Sequence, residues 1–244
     1  MKYVLALILA VFFINVCTPA MPWAMDDPAD DDLFAEYEKG NDLPPVPDPL
    51  YWFNYGVYHF NDRLYYWALK PLATGYRAVV PQPVRTGINN FFYNLMFPVR
   101  FVNALLQGKG KAAGTEFDIF LINSTAGIIG FSQLAQNTFG LKNQEEDFGQ
   151  TLGTYRVGEG FYLVLPMLGP STLRDFFGRA GDYFLKPVSY VEPMEKSLGL
   201  YGLDTINQTS FRIGDYELLK SSAVDHYLSM KNAYVQYRRI KVGE

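Results

Sequence analysis

The stretch from Asp48 to Trp67 reads DPLYWFNYGVYHFNDRLYYW. Its apolar positions Leu50, Phe53, Val57, Phe60, Leu64 and Trp67 recur at steps of three and four residues, the period of one face of an α-helix. The flanks carry Tyr51, Trp52, Tyr55, Tyr58, Tyr65 and Tyr66, so the predicted helix is apolar around much of its girth. That suits a helix with protein on one side and lipid headgroups on the other. The bias extends through the chain, where 19 Phe, 18 Tyr and 3 Trp make up 16% of 244 residues. Such rings favour boundaries with one wet and one apolar side, and an aromatic-rich core and a membrane interface both account for them at this stage.

The formal charge is -4 and the pI about 5.3, with no Lys/Arg cluster before Arg238, Arg239 and Lys241, which argues against a nucleic-acid partner. Met1 to Val16 (MKYVLALILAVFFINV) is one lysine followed by an apolar run too short to cross a bilayer and right for the centre of an export signal. Residues 1–24 are therefore assigned as signal peptide, with cleavage open between Cys17 and the small residues Ala20 and Ala24. Cys17 is the only cysteine, so no disulfide or cysteine metal site is expected. Residues 25–47 form an acidic, Pro-rich tether, and a helical domain is expected over 48–241.

Within that domain Pro71, Pro81 and Pro83 punctuate a connection, and Val84, Ile88, Phe91, Phe92 and Leu95 make a second amphipathic helix stopped by Pro98. A third helix runs from Val99 to Gln107, with Gly108 suited to its C-terminal cap, and a fourth spans Ala112 to Asn123. Gly127, Gly130, Gly140 and LKNQEED then mark a long, flexible, irregular stretch. FYLVL (161–165) is the best strand candidate. Thr172 with Asp175, and Ser222 with Asp225, have capping-box spacing for two further helices, the last over Ala223 to Ile240. The fold class is mainly α and single-domain.

Recognisable catalytic machinery is absent from the sequence. Gly158-Glu159-Gly160 lacks the third glycine of a dinucleotide fingerprint, and Gly108-Lys109 has Asn103 where a phosphate loop needs glycine. His59 and His226 are widely separated, with polar or helix-capping roles favoured over a shared site. Glu145, Glu146 and Asp147 are read as a solvated loop rather than an acid/base pair. No cofactor or metal site and no catalytic residue is assigned, and the protein is not expected to be an enzyme.

DPLYWFNYGVYHFND (48–62) resembles the opening motif of the MlaA family, also called VacJ, of bacterial outer-membrane phospholipid-transport proteins. The likeness continues through RTGINNFFYNLMFPVRFVNALLQGK (85–109), INSTAGIIGF (122–131), EDFGQTLG and YLVLPMLGPSTLRD (146–153 and 162–175), and DHYLSMKNAYVQYRR (225–239). The resemblance implies a flat, ring-like assembly of amphipathic helices lying in the periplasmic leaflet of the outer membrane around a central amphipathic channel. Its implied partners are phospholipids, a trimeric porin and a soluble periplasmic lipid carrier that leads to an inner-membrane ABC transporter. Most members are lipoproteins, which makes Cys17 the lipidation candidate, although Ile14-Asn15-Val16 departs from the small residues that normally precede such a cysteine.

Moving a phospholipid into water exposes on the order of 30 methylenes at roughly 0.8 kcal/mol each, so a transfer protein must shield the acyl chains and offer the headgroup a polar strip. Candidates for the lipid path or membrane rim are Phe53, Asn54, Phe91, Asn94, Asn103, Phe161, Leu163, Leu165, Pro166 and Leu168. In Phe161 to Leu168 a channel-facing wall and a buried core hairpin are equally compatible with the sequence. Asn90, Asn94 and Asn103 on apolar helices are expected to bond across helices or to line a wet path, the former being favoured. Asn123, Ser124 and Thr125 are read as caps of the fourth helix in preference to headgroup contacts, Arg174 and Asp175 as an ion pair, and Arg238 and Arg239 as a solvated helix end or a headgroup contact. Gly149, Gly153, Gly158 and Gly160 are expected to bend the backbone sharply. Residues 135–148, with Gly140, Glu146, Asp147 and Gly149, form a candidate gate. The rivals are a soluble periplasmic lipid-binding carrier and a secreted hydrolase of unrecognised type.

Overall fold

The computed structural model describes residues 45–243. The assigned signal sequence, Cys17 and most of the acidic tether lie outside the described residues. The first helix, α1 (Tyr51–Leu64), continues through a π-helical turn, Tyr65–Leu69, into α2 (Lys70–Val79). Pro71 was expected to break the chain but sits in the first turn of α2. The wider π turn just before it accommodates a ring that a regular α-helix would not. Pro81 and Pro83 do mark a boundary, opening α3 (Gln82–Leu95).

Pro98 does not stop α3. Met96 alone separates α3 from α4 (Phe97–Leu106), and Pro98 lies in the first turn of α4, where its missing N–H costs nothing. Gly108, with φ +72°, follows the end of α4 as a left-handed cap, and Lys109 N–H reaches back to Ala104 O at 2.9 Å. Next comes α5 (Gly110–Thr125), held to α4 by the stacked rings of Phe97 and Phe120, 4.3 Å apart, and by the buried pair Arg100–Glu116 at 2.7 Å.

The strand signal is real and belongs to a hairpin. β1 (Tyr162–Leu165) pairs antiparallel with β2 (Gly169–Thr172), with Tyr162 opposite Thr172 and Leu165 opposite Gly169. Two asparagines of α1 hold it. Asn54 Nδ2 donates to Tyr162 O at 3.0 Å and Asn54 Oδ1 accepts from Val164 N–H at 2.8 Å. Seven residues on, Asn61 Nδ2 donates to Leu165 O at 2.9 Å and its Oδ1 accepts from Met167 N–H at 2.6 Å. Each primary amide thus bonds one carbonyl and the N–H two residues later, as a neighbouring strand would. The phenylalanine before each asparagine turns away, leaving Phe53 55% and Phe60 51% exposed. Behind the hairpin, Tyr58, Tyr162, Val164, Tyr227, Tyr234 and Val235 form one core cluster with α11 (His226–Val242).

Five more α-helices precede α11: α6 (Leu134–Phe139), α7 (Phe148–Thr154), α8 (Leu173–Tyr183), α9 (Met194–Phe211) and the short α10 (Asp215–Ser222). Thr172 caps α8 as its spacing predicts, accepting from Asp175 N–H at 3.2 Å. Ser222 does not cap the last helix; it ends α10, Ala223 is extended, and Asp225 caps α11 by accepting from Leu228 N–H at 3.0 Å. Gly149 and Gly153 were expected to bend the backbone but lie inside α7. They permit close approach instead: a Cβ at Gly178 of α8 would stand 2.5 Å from Gly149 N, so α7 and α8 touch backbone to backbone. The long α9 carries no signal that the sequence reading used.

Replacing Asn54 with Ala strands the Tyr162 carbonyl and the Val164 N–H in the core and should lower unfolding free energy in detergent micelles by about 2 kcal/mol or more. Phe53→Ser, one residue away on the outer face, should change it by under about 1 kcal/mol. Denaturant unfolding of both variants checks the contrast, and equal losses would contradict the assigned faces.

Candidate functional site

Polarity in this fold is partly inverted. Among the described residues, 22 polar or charged side chains are buried against 18 apolar ones, so the interior is as much a polar network as an oily core. Large apolar side chains lie outside instead: Trp52 is 82%, Trp67 79%, Phe184 70% and Ile128 75% exposed. Phe53, Phe60 and Trp67 recur every seven residues and form one outward stripe along α1 and its π turn. Exposed apolar area on this scale marks an interaction surface rather than ordinary solvent contact. No helix among the described residues is long and apolar enough to cross a membrane, and none of them form a group of three or more His, Cys, Asp or Glu placed to hold a metal ion.

Most of the buried arginines are paired with carboxylates, and Arg85 instead donates to Val80 O and to Ser210. Arg238 reaches Asp147 through Nη1 and Nη2 at 2.5 and 2.9 Å, and Asp175 through Nε and Nη2 at 3.0 and 2.7 Å. Tyr234 donates to the same Asp175 at 2.7 Å, and Arg174 Nε lies 3.7 Å from it. Arg239 pairs with Glu159 at 2.7 Å. Neither Arg238 nor Arg239 is therefore a solvated helix end or a headgroup contact; both are buried, because the partners that neutralise them come from segments remote in sequence. Burial opposes ionisation of Asp147, but the Arg238 guanidinium prevails and holds its carboxyl below the ordinary value. Asp182, buried and then disfavoured further by the charge of Asp147, is pushed up to about 7.

The 144–147 segment is not the solvated loop that its composition suggested. Gln144 N–H bonds Glu116 at 2.7 Å, Lys241 pairs with Glu145 at 3.2 Å, Lys109 pairs with Glu146 at 2.7 Å, and Asp147 caps α7 in a full capping box with Gln150. Gly140, in a left-handed conformation at the end of α6, has nothing within contact distance of where a side chain would sit.

Two cavities open against this network. The first, about 420 Å³, is walled by charged and polar groups including Arg100, Asp147, Asp182, Asp204 and Arg238. The second, about 370 Å³, is walled largely by apolar groups including Leu64, Leu69, Val164, Leu168, Leu219 and Met230. Both fall in the range of small-molecule sites. Gln208, Arg212 and Tyr234 line both, so a wet chamber and a greasy one share a wall. Asp204, Gln208 and Arg212 succeed one another at four-residue steps along one face of α9 and its C-terminal cap, and Gln208 Nε2 donates to Asp204 Oδ1 at 2.9 Å. Burial pushes the Asp204 carboxyl up to about 6.

The candidates drawn from sequence scatter over this frame. Leu168 is buried and lines the apolar chamber, while Glu146 and Asp147 line the polar one. Leu165 is buried beside Leu168 and Phe176, Phe161, Leu163 and Pro166 are half-buried, and Phe91 packs edge-on against Phe92 at 5.5 Å. The asparagines bond across the fold: Asn90 to Phe131 O at 3.1 Å, Asn94 to Ser124 Oγ at 2.9 Å, and Asn103 to Asp182 at 2.8 Å while accepting from Thr151 at 2.8 Å. Asn123 accepts from Ala135 N–H at 3.0 Å, and Thr125 donates to Leu121 O at 2.7 Å, so neither caps α5. Sequence reasoning missed Asp204, Gln208 and Arg212. Their four-residue spacing was the available signal.

The family described as MlaA lipoprotein matches residues 46–241. The chain is 36% identical over 202 residues to the intermembrane phospholipid transport system lipoprotein MlaA of Escherichia coli, covering 81% of this chain and 79% of that one. To the protein of the same name from Haemophilus influenzae it is 31% identical over 214 residues, covering 85% and 81%. A solved chain from work on the structural basis for maintenance of bacterial outer membrane lipid asymmetry superposes with a TM-score of 0.71 at 34% identity, covering 80% of this chain and 99% of that one.

Because Asp182 holds its proton to about 7 in the folded state, the native protein binds more protons than the unfolded chain between the ordinary aspartate range and that value. Stability contributed there is full at low pH and is lost as pH rises toward 7. Asp182→Asn should flatten the fall in unfolding free energy between pH 5 and 7 by up to roughly one proton, on the order of 1.4 kcal/mol per pH unit. Urea titrations at stepped pH in micelles measure it. An unchanged slope in the variant would contradict the protonated buried carboxyl.

Proposed function

The chain belongs to the MlaA lipoprotein family, and from that membership we propose that it carries phospholipids at the outer membrane as part of an intermembrane transport system. The observation that carries this reading is the adjoining pair of chambers, polar and apolar, inside a shell whose helices turn aromatic side chains outward. A phospholipid needs both environments at once, and a carrier of wholly polar or wholly apolar cargo needs only one. The apolar stripe of α1 seats the protein in the periplasmic leaflet. Phospholipid that has strayed into the outer leaflet passes through the protein toward a soluble periplasmic carrier, which maintains lipid asymmetry. A trimeric porin is the membrane partner implied by the family resemblance.

The protein supplies shelter rather than a chemical step, so transport here is passive and its direction is set by the lipid's poor fit in the wrong leaflet and by the carrier that removes it. Residues 135–148 act as the gate. With residues 144–147 fastened to α5, to α11, to Lys109 and to α7, and with α6 tied to α5 through Asn123, the moving part is the short span from Gly140 to Asn143. Cys17, when acylated, adds a second anchor to the apolar helix face.

Deleting the gene should raise the amount of phospholipid exposed on the cell surface, read by an outer-leaflet lipid-modifying assay, and the intact gene in trans should restore it. No rise would overturn the transport reading. Fractionation of the protein with soluble periplasmic contents, rather than with the outer membrane, would favour a soluble carrier.

A further inference from the structure

Arg212 stands apart from the other arginines of the polar chamber. Arg100 is neutralised by Glu116, Arg238 by Asp147 and Asp175, and Arg179 donates to Pro170 O at 3.2 Å, whereas the Arg212 side chain makes no hydrogen bond or ion pair among the described residues. It is half-buried at the C-terminal cap of α9, on the wall shared by the two chambers. Burial pushes its pKa down, while the charges of Asp215 and Glu145 act the other way. Glu145 is engaged with Lys241 at 3.2 Å, and among the described residues neither it nor Asp215 forms an ion pair with the guanidinium. The end of a helix dipole favours a cation, but by less than a half-buried guanidinium loses in leaving water. A planar fork of donors kept partly dehydrated and without a partner is suited to a phosphate or carboxylate that arrives from outside the chain.

We propose that Arg212 is the anchor for the phosphate of a bound phospholipid, holding the headgroup at the boundary with its glycerol and first acyl carbons in the apolar chamber. This rests on the phospholipid reading above and adds to it the residue that fixes the depth of the lipid. The surroundings sort the two ends of the molecule. Gln208 and Tyr234 flank Arg212 on the shared wall, Asp204 lies on the polar side, and Leu168, Leu219 and Met230 lie on the apolar side. A zwitterionic headgroup would place its phosphate on Arg212 and its cationic end toward Asp204, whereas a neutral lipid without phosphate would have no use for the arginine.

The test uses the full chain purified in detergent micelles and titrated with three probes: short-chain phosphatidylglycerol, diacylglycerol of the same chain length, and inorganic phosphate. In the parent protein, phosphatidylglycerol should bind more tightly than diacylglycerol. Arg212→Gln should weaken phosphatidylglycerol by roughly tenfold or more, the cost of a lost charge-assisted hydrogen bond, while leaving diacylglycerol unchanged, and Arg212→Lys should recover part of the loss. Because Arg212 bonds no other side chain among the described residues, both variants should keep the parent's unfolding midpoint, which controls for folding. Equal phosphatidylglycerol affinity in parent and Arg212→Gln overturns the anchor while leaving the transport reading intact. Tight binding of inorganic phosphate alone, lost in Arg212→Gln, would make the site one for free phosphate and overturn the lipid assignment. A parent that binds neither lipid overturns the transport reading and the anchor with it.

Discussion

The structure depends on a constraint that few water-soluble folds meet: charged and amide side chains fill the interior while aromatic and aliphatic ones are left outside. An unpaired charge at such depth would cost several kcal/mol, so most segments that bring one in also bring its partner. Arg238 of α11 is the main case, since it ties Asp147 at the start of α7 to Asp175 in the first turn of α8. Arg100 with Glu116 does the same for α4 and α5 and, through Gln144, for the connection that follows. Removing one partner from a pair of this kind typically costs 3–5 kcal/mol, comparable to the whole stability of a small domain. The helices are therefore placed by electrostatics and amide bonds as much as by oil.

That arrangement frees the apolar faces for another solvent. Phe53, Phe60 and Trp67 would be a liability in water but are an asset in the headgroup region, where aromatic rings settle. It also explains why a wet chamber survives next to a greasy one. The polar side is held open by paired charges that cannot collapse onto one another, and the apolar side is built from the back of α1, the hairpin and α11. Asn54 and Asn61 fix the hairpin to α1, so the greasy wall is held where it meets the helix that carries the outward aromatic stripe.

Much of the frame was legible in the sequence, because α1 and α3 repeat apolar residues with a clear helical period and Pro98 and Gly108 mark out α4 before α5, whereas α2 was read as a connection. The hairpin was legible as FYLVL, and the cross-helix bonding of Asn90, Asn94 and Asn103 followed from the cost of burying an amide alone. Three features were not. Pro71 was read as a break because a π-helical turn leaves no compositional mark. Arg238 and Arg239 were read as surface charges because their partners are 91, 63 and 80 positions away, and a single sequence does not display such pairings. In α9 buried polar positions are mixed with apolar ones, so its inward face, and with it Arg212, had no simple stripe to reveal it.

The central claim is that the outward aromatic face of α1 lies in lipid. Trp52 and Trp67 report on it directly once Trp23 is changed to Phe. In vesicles carrying the purified protein, phospholipids brominated along the acyl chain should strongly quench the fluorescence of both, while iodide in the aqueous phase should quench it little. Quenching by iodide as complete as for a tryptophan free in water, with no response to brominated lipid, would contradict the account.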